Sequence, residues 1–308
     1  MIKAIFVVGP TASGKTAVGI ELAKKFDGEV VSADSMQIYK GIHIASAAPN
    51  ESEKCGIPHH LIEFLETDSE FSVADYVIKA RETINDMASR GKLPIIVGGT
   101  GLYVSALLDN IEFLDQPTNA DLRAELEEKF DSIGAETMLA ELAEFDPDTA
   151  KRLHPNNRRR IIRAFEVYIL SGRTISQQNA ISRQNAGDIT PLVIGLNYAD
   201  RELLYDRINL RVDMMIEQGL LEEAKTTYQN SGESGAFQAI GHKELYPYFN
   251  GECSLEDAVE HLKMQTRRYA KRQLTWFRKI DSINWFYPDN GDVWDAIFDI
   301  TQKFIEEE

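Results

Sequence analysis

The stretch VVGPTASGKTAV, residues 7–18, decides how the rest of the chain is read. It spells G-x-x-x-x-G-K-[ST] with Gly9, Gly14, Lys15 and Thr16, directly after the apolar run Ala4 to Val8 and directly before the helix-prone AVGIELAKKF. A strand that runs into a glycine-rich turn and opens a helix points backbone N–H groups at one spot, where an anion is held. In this reading Gly9, Pro10, Thr11, Ala12, Ser13, Gly14, Lys15 and Thr16 form a phosphate cradle. Lys15 adds charge, and the Thr16 hydroxyl is a ligand for Mg²⁺. The motif specifies a phosphate, not the molecule that carries it.

Around this loop the first hundred residues alternate short apolar runs with helical patterns, the mark of βαβ units and a mainly parallel sheet. Strands are predicted at Ile2 to Val8, Glu29 to Ala33 and Leu93 to Val97. Ser72 and Asp75 spell a capping box for a helix that runs through Val77, Ile78, Ile84 and Met87 and stops at Gly91. From Ala120 to about Gly172 the texture turns to charged helices, and a strand-like run returns only at Leu192 to Leu196. The expected architecture is α/β: a P-loop NTPase-like core with a mainly parallel sheet, plus a helical insertion domain. Residues 1–114 and 191–308 would form the core, residues 115–190 the insertion, and Asn185 to Thr190 a connecting loop.

In an open parallel sheet the carboxyl ends of the strands line the ligand crevice. The second strand ends in VVSADSMQIYKG, residues 30–41, which sets Asp34 beside the phosphate loop as a base or a metal-shell carboxylate, or else as a turn aspartate. A nucleotide kinase or NTPase, with ATP on the loop, would carry a further strand ending in an Mg²⁺-binding aspartate. Here the third strand ends in glycines, IIVGGTGLY, which weakens that reading.

Composition limits the partners. The chain has 308 residues, 43% of them hydrophobic, which suffices for a sizeable core. No run approaches a membrane span, and the amino-terminal stretch does not read as a signal peptide, so a cytoplasmic protein is expected. Cys55 and Cys253 make neither a metal spacing nor a disulfide framework. The net charge of −16 argues against a nucleic-acid partner until its distribution is examined. Lys151 to Arg163 holds six basic residues and no acid, and Lys263 to Lys279 holds seven basic residues and no acid. Two such segments allow local RNA binding by an acidic protein.

GPTASGKT, DSMQIYKG, IPHHLIE, LPIIVGGTGLY, HPNNRRRIIRAFEVYILSGRT, AIGHKEL and RRYAKRQLTWFR occur in this order between residue 4 and about residue 287. Together they resemble the tRNA dimethylallyltransferase (IPP transferase) family. The resemblance implies that the loop binds the diphosphate of dimethylallyl diphosphate with Mg²⁺, and that the enzyme alkylates N6 of the adenosine 3′ of the anticodon. It further implies a monomer acting on the tRNA anticodon stem-loop. Asp34 would be the base, Thr100 and Arg211 would join it at the reacting groups, and Ser35, Met36 and Gln37 would contact the target base. Arg123, Arg159, Arg160, Ile161, Ile162 and Arg163, with Arg267, Arg268, Lys271 and Arg272, would contact tRNA. A carboxylate of ordinary pKa would serve as the base.

Two positions depart from the family pattern: Arg159 stands where glutamine is usual, and His242 where tyrosine is common. The adjacent His59 and His60 belong to the family's PHHL block and read as structural. Without the resemblance, Arg207 and Arg211 would read as solvated arginines on an amphipathic helix whose apolar stripe is Leu204, Ile208, Val212 and Met215. The rival readings are a prenyltransferase acting on free adenine nucleotides, an ATP-dependent small-molecule kinase, and a non-catalytic RNA-binding module.

Overall fold

Ile2–Val8 forms β1, whose residues from Ala4 onward are buried, as the central strand of a parallel sheet covered on both faces requires. A computed structural model of the chain describes residues 1–111, 119–184, 187–230 and 235–307. They fall into two compact units, Met1–Ala106 with Asp188–Glu308, and Leu107–Gly187. The expected insertion limit near residue 115 and part of the expected loop at 185–190 lie outside the described residues. The unit itself begins earlier, at Leu107, inside the continuous Gly101–Leu108 helix, where no change in composition marks a boundary.

Among the described residues the first unit carries a sheet of six strands, all parallel. They are β1, β2 (Gly28–Ser32), β3 (His59–His60), β4 (Leu93–Gly98), β5 (Ile189–Leu196) and β6 (Ile283–Phe286), in the order β3-β2-β4-β1-β5-β6. The sheet is the α/β, P-loop NTPase-like core expected. Register pairs Val8 with Gly98 on one side and Gly195 on the other, so the phosphate loop leaves β1 between the ends of its two neighbours. Ile5, Val7, Ile95, Val97 and Ile194 meet Val18 and Leu22 of the Lys15–Lys25 helix in one apolar cluster. That packing anchors the loop at both of its ends.

The Ser72–Asp75 capping box forms as expected, with the helix running Val73–Ser89. Neither β3 nor β6 was expected. β3 is two residues long, and β6 is four residues long, half-buried throughout and interrupted by Asn284. In the helical unit Leu126, Met138, Leu142, Ile161, Ile162 and Phe165 form a core of their own.

Candidate active site

The ends of β1, β2 and β4 open on a cavity of about 310 Å³, lined among others by Thr11, Lys15, Thr16, Asp34, Gly98 and Arg211. Its charged lining opposes the sign of the whole chain. Among the described residues Lys15, Arg211, Lys243 and Arg272 face one carboxylate, Asp34. A site with that balance concentrates an anion.

The loop is built to receive one. The helix begins at Lys15 after Gly14, which is left-handed (φ 95°) and supplies no side-chain cap, so the first-turn N–H groups keep their capacity for a ligand. Ser13 is buried, and its hydroxyl has no partner among the described residues. Lys15 Nζ donates to the Pro10 carbonyl at 2.6 Å, which folds the cation across the cradle. Burial, and then the charge of Arg211, pull the Lys15 ammonium down to about 7, while Asp34 acts in the opposite direction.

Asp34 reaches the same cavity because β2 and β4 approach closely at their ends. A Cβ on Gly98 would lie 2.1 Å from the Ala33 carbonyl oxygen, so only glycine lets the strands meet there. The Met36 N–H donates to Asp34 Oδ1 at 2.9 Å, and the Ser35 N–H donates to Thr100 Oγ1 at 2.9 Å. These bonds fix the carboxylate relative to β4. The expectation of an ordinary carboxylate is corrected: burial raises the Asp34 pKa, outweighing the Met36 N–H, Lys15 and Arg211, which act to lower it.

Arg207 and Arg211 of the Arg201–Glu217 helix run along the loop rather than into solvent alone. Arg207 Nε donates to the Ala12 carbonyl at 3.0 Å, and Arg211 Nη1 comes within 3.5 Å of Thr11 Oγ1. Leu204 and Ile208 join one apolar cluster, with Val212 and Met215 in another. The helix is thereby pinned over the cradle.

Thr16 is exposed and Asp34 half-buried in the cavity. Among the described residues no group of three or more histidines, cysteines or carboxylates is assembled for a metal. A hydroxyl and one carboxylate fit Mg²⁺ carried on substrate phosphates, since that ion keeps several waters and uses one or two protein ligands. They do not fit an ion held by protein alone.

The other expected contacts divide sharply. Arg268, Lys271 and Arg272 are exposed on the Leu255–Phe277 helix and form no ion pair among the described residues, whereas Arg267 donates to Asn209. Lys263, in the same basic segment, is taken up by Asp213 at 2.8 Å and Glu260 at 3.0 Å. Gln37 is committed locally, its Oε1 accepting from Ser32 at 2.8 Å and its Nε2 donating to the Ser46 and Ala47 carbonyls. Met36 packs against the Ile38–Ile42 cluster and also lines the cavity.

In the helical unit Arg159 and Arg160 are exposed, while Arg123 and Arg163 share the buried carboxylate of Glu166, at 3.7 and 3.4 Å. Ile161 and Ile162 are corrected as contact residues. They are 0% and 1% exposed in the unit's core, and their side chains cannot meet RNA.

Residues without a sequence signal also shape the site. Tyr269, Gln273, Lys243, Ala45 and Met215 line the cavity from segments remote in sequence. Burial, with the Asp34 charge adding, lifts the Tyr269 hydroxyl above its ordinary range; that hydroxyl faces Thr100 and Gln273. His60 is structural as expected, with Nε2 2.7 Å from Glu29, which Arg90 also clamps through two bonds and holds at about 2. His59 also lines the cavity; Nδ1 lies 2.8 Å from the Ile57 carbonyl, and buried Nε2 has no partner among the described residues. His242 is fully buried, with Nε2 2.8 Å from Glu223.

These elements have close counterparts in known proteins. The family model described as IPP transferase matches residues 37–280. A tRNA dimethylallyltransferase of Thermoanaerobacter sp. (strain X514) is 47% identical over 294 residues, covering 94% of this chain and 93% of that protein. The crystal structure of the tRNA isopentenylpyrophosphate transferase of Bacillus halodurans superposes with a TM-score of 0.73 at 42% identity, covering 99% of this chain and 96% of that one. A eukaryotic dimethylallyltransferase acting on tRNA superposes with a TM-score of 0.80 at 32% identity, covering 93% and 74%. With a family model matching most of the chain and relatives 47% and 42% identical along nearly its whole length, the protein belongs to the IPP transferase family.

Proposed function

We propose that this chain transfers a dimethylallyl group from dimethylallyl diphosphate to N6 of the adenosine immediately 3′ of the anticodon in tRNA, forming N6-isopentenyladenosine. The observation that carries the reading is the placement of one half-buried carboxylate, Asp34, in the same cavity as the cationic phosphate cradle. A phosphate site alone would serve many reactions. A base beside it selects transfer to a nucleophile that must lose a proton.

In the reaction the allylic C–O bond breaks with its electron pair leaving on the diphosphate, while the N6 lone pair forms the new C–N bond. Loop N–H groups, Lys15 and Arg211 stabilise charge on the departing diphosphate. Asp34 accepts the N6 proton as that nitrogen becomes cationic, and its raised pKa makes it a stronger base than an ordinary aspartate. Thr16, with Asp34 nearby, would hold Mg²⁺ on the diphosphate, and that ion when bound supplies Lewis-acid stabilisation of the leaving group. Exposed Arg268, Lys271 and Arg272, with Arg159 and Arg160, supply phosphate contacts for RNA. The base has to leave its stack to present N6 to the cavity. The enzyme acts as a monomer in this reading. No helix among the described residues is long and apolar enough to cross a membrane, and a cytoplasmic site of action is part of this proposal.

The direct test is incubation with dimethylallyl diphosphate, Mg²⁺ and either unmodified tRNA or AMP, followed by mass spectrometry of the nucleosides. The expected result is a prenyl adduct on adenosine from tRNA only, lost on chelation of the metal. An adduct on AMP alone would assign a free-nucleotide prenyltransferase, and none on either substrate would return the loop to ATP.

The depressed Lys15 pKa gives a second expectation. Bound diphosphate favours the ammonium form, so affinity should be level below about pH 7 and fall by about tenfold per unit above it, where binding must take up a proton. Calorimetry of pyrophosphate binding, read against Lys15→Arg, whose guanidinium does not titrate, cancels ionisation of the ligand itself. Parallel profiles for the two proteins would remove Lys15 as the titrating contact.

A further inference from the structure

The Leu255–Phe277 helix presents two faces with different chemistry. Arg268 and Lys271 are exposed outside the cavity and Arg272 is exposed where it lines it, whereas Tyr269, Gln273 and Trp276, four and three residues apart, form an inward stripe against the strand ends. Trp276 Nε1 donates to Ser105 Oγ at 2.8 Å. Between these two aromatic residues sits a neutral amide that the cationic run gave no reason to single out.

Gln273 is 5% exposed and uses both ends of its amide. Oε1 accepts the Thr11 N–H at 2.8 Å, and Nε2 donates to the Gly99 carbonyl at 3.0 Å. A Cβ on Gly99 would fall 2.2 Å from Gln273 Nε2, so the strand end is shaped around the amide. An acceptor on one side and a donor on the other is a demand that, among side chains of this length, glutamine meets and glutamate, methionine or lysine does not.

The two bonds join the two halves of the site. Thr11 is the edge of the cradle that faces Arg211, and its N–H is committed to Gln273, which leaves anion binding to donors further along the loop. Gly99 precedes Thr100, whose hydroxyl accepts the Ser35 N–H next to Asp34. The separation between the groups that take the diphosphate and the group that takes the proton is therefore set through one side chain. A displacement of about 1 Å in such a pair costs about 10²-fold in rate.

We propose that Gln273 is a positioning residue that ties the phosphate loop at Thr11 to the end of β4 at Gly99, holding the diphosphate cradle and Asp34 in reacting register. The inference rests on the reading of the loop as a diphosphate site. Gln273→Met keeps the length and volume of the side chain and removes both hydrogen bonds. It is expected to weaken pyrophosphate binding about tenfold and to lower kcat by about ten- to hundredfold. Affinity for an anticodon stem-loop RNA should stay within about twofold, because Arg268 and Lys271 outside the cavity are untouched. Gly99→Ala, which displaces the amide without deleting it, should give the same pattern.

Pyrophosphate affinity and kcat within about twofold of wild type in both variants would overturn the proposal. So would a parallel loss of RNA affinity, which is what a merely structural residue produces. Because pyrophosphate binding is measured apart from transfer, the two readings fail separately. Wild-type protein that prenylates tRNA with no dependence on Gln273 rejects this inference alone. Protein that binds pyrophosphate through Gln273 yet prenylates nothing rejects the assigned reaction alone.

Discussion

Replacing Asp34 by asparagine is expected to lower prenyl transfer about 10²- to 10⁴-fold, the range lost when a positioned general base is removed. With pyrophosphate binding measured without Mg²⁺, the substitution separates the proton transfer from the metal contact of the same carboxylate. Asparagine keeps an Oδ1 that can accept the Met36 N–H, so the turn after β2 retains the bond that shapes it. It also removes the carboxylate that, among the described residues, lines the cavity with Lys15 and Arg211, so affinity for diphosphate should hold or rise while turnover collapses. Single-turnover transfer to tRNA and equilibrium binding of pyrophosphate, measured on the same preparation, check both halves. Near-normal transfer by Asp34→Asn would remove Asp34 as the base. The wild-type pH profile should agree: activity falls as pH drops through the raised Asp34 carboxyl, because the protonated acid cannot accept the N6 proton.

What could be read from the residues alone follows from how local the determining physics is. The phosphate loop is fixed by eight consecutive residues, and Asp34 by its place at a strand end, so pattern and topology together located both. The Ser72–Asp75 cap is equally local and formed as read. Gln273, Tyr269 and Lys243 left no such mark, because their role depends on which strand ends the last long helix reaches. The same limit hid the tertiary use of the cations. A run of arginines in sequence does not reveal that Glu166 gathers Arg123 and Arg163, or that Asp213 and Glu260 gather Lys263. Ile161 and Ile162 sit inside a basic motif yet belong to a helical stripe that faces the unit's own core. The raised pKa of Asp34 is likewise a property of burial, which the β2 segment takes from its neighbours.

Arg211 tests the opposite half of the site. Burial holds its guanidinium below the usual range, although Asp34 opposes that shift, and Lys15 is lowered in part by the Arg211 charge. Two cations in one half-buried cavity, one of them depressed by the other, are costly to the protein by itself and are stabilised when an anion arrives between them. The interaction is therefore expected to be strongest where diphosphate charge is greatest, in the transition state for C–O cleavage. Arg211→Gln should lower kcat/KM for dimethylallyl diphosphate by about 10²- to 10³-fold, with most of the loss in kcat. Arg211→Lys should recover only part of it, because an ammonium cannot reproduce the planar two-donor grip on neighbouring oxygens. RNA affinity should be unchanged, since Arg211 lies against Thr11 in the cavity and not on the exposed cationic face. A loss confined to KM, or one that Lys repairs fully, would make Arg211 a uniform binding charge instead. Leaving-group stabilisation would then rest on Lys15 and the loop N–H groups, and Arg211 would serve only to gather substrate.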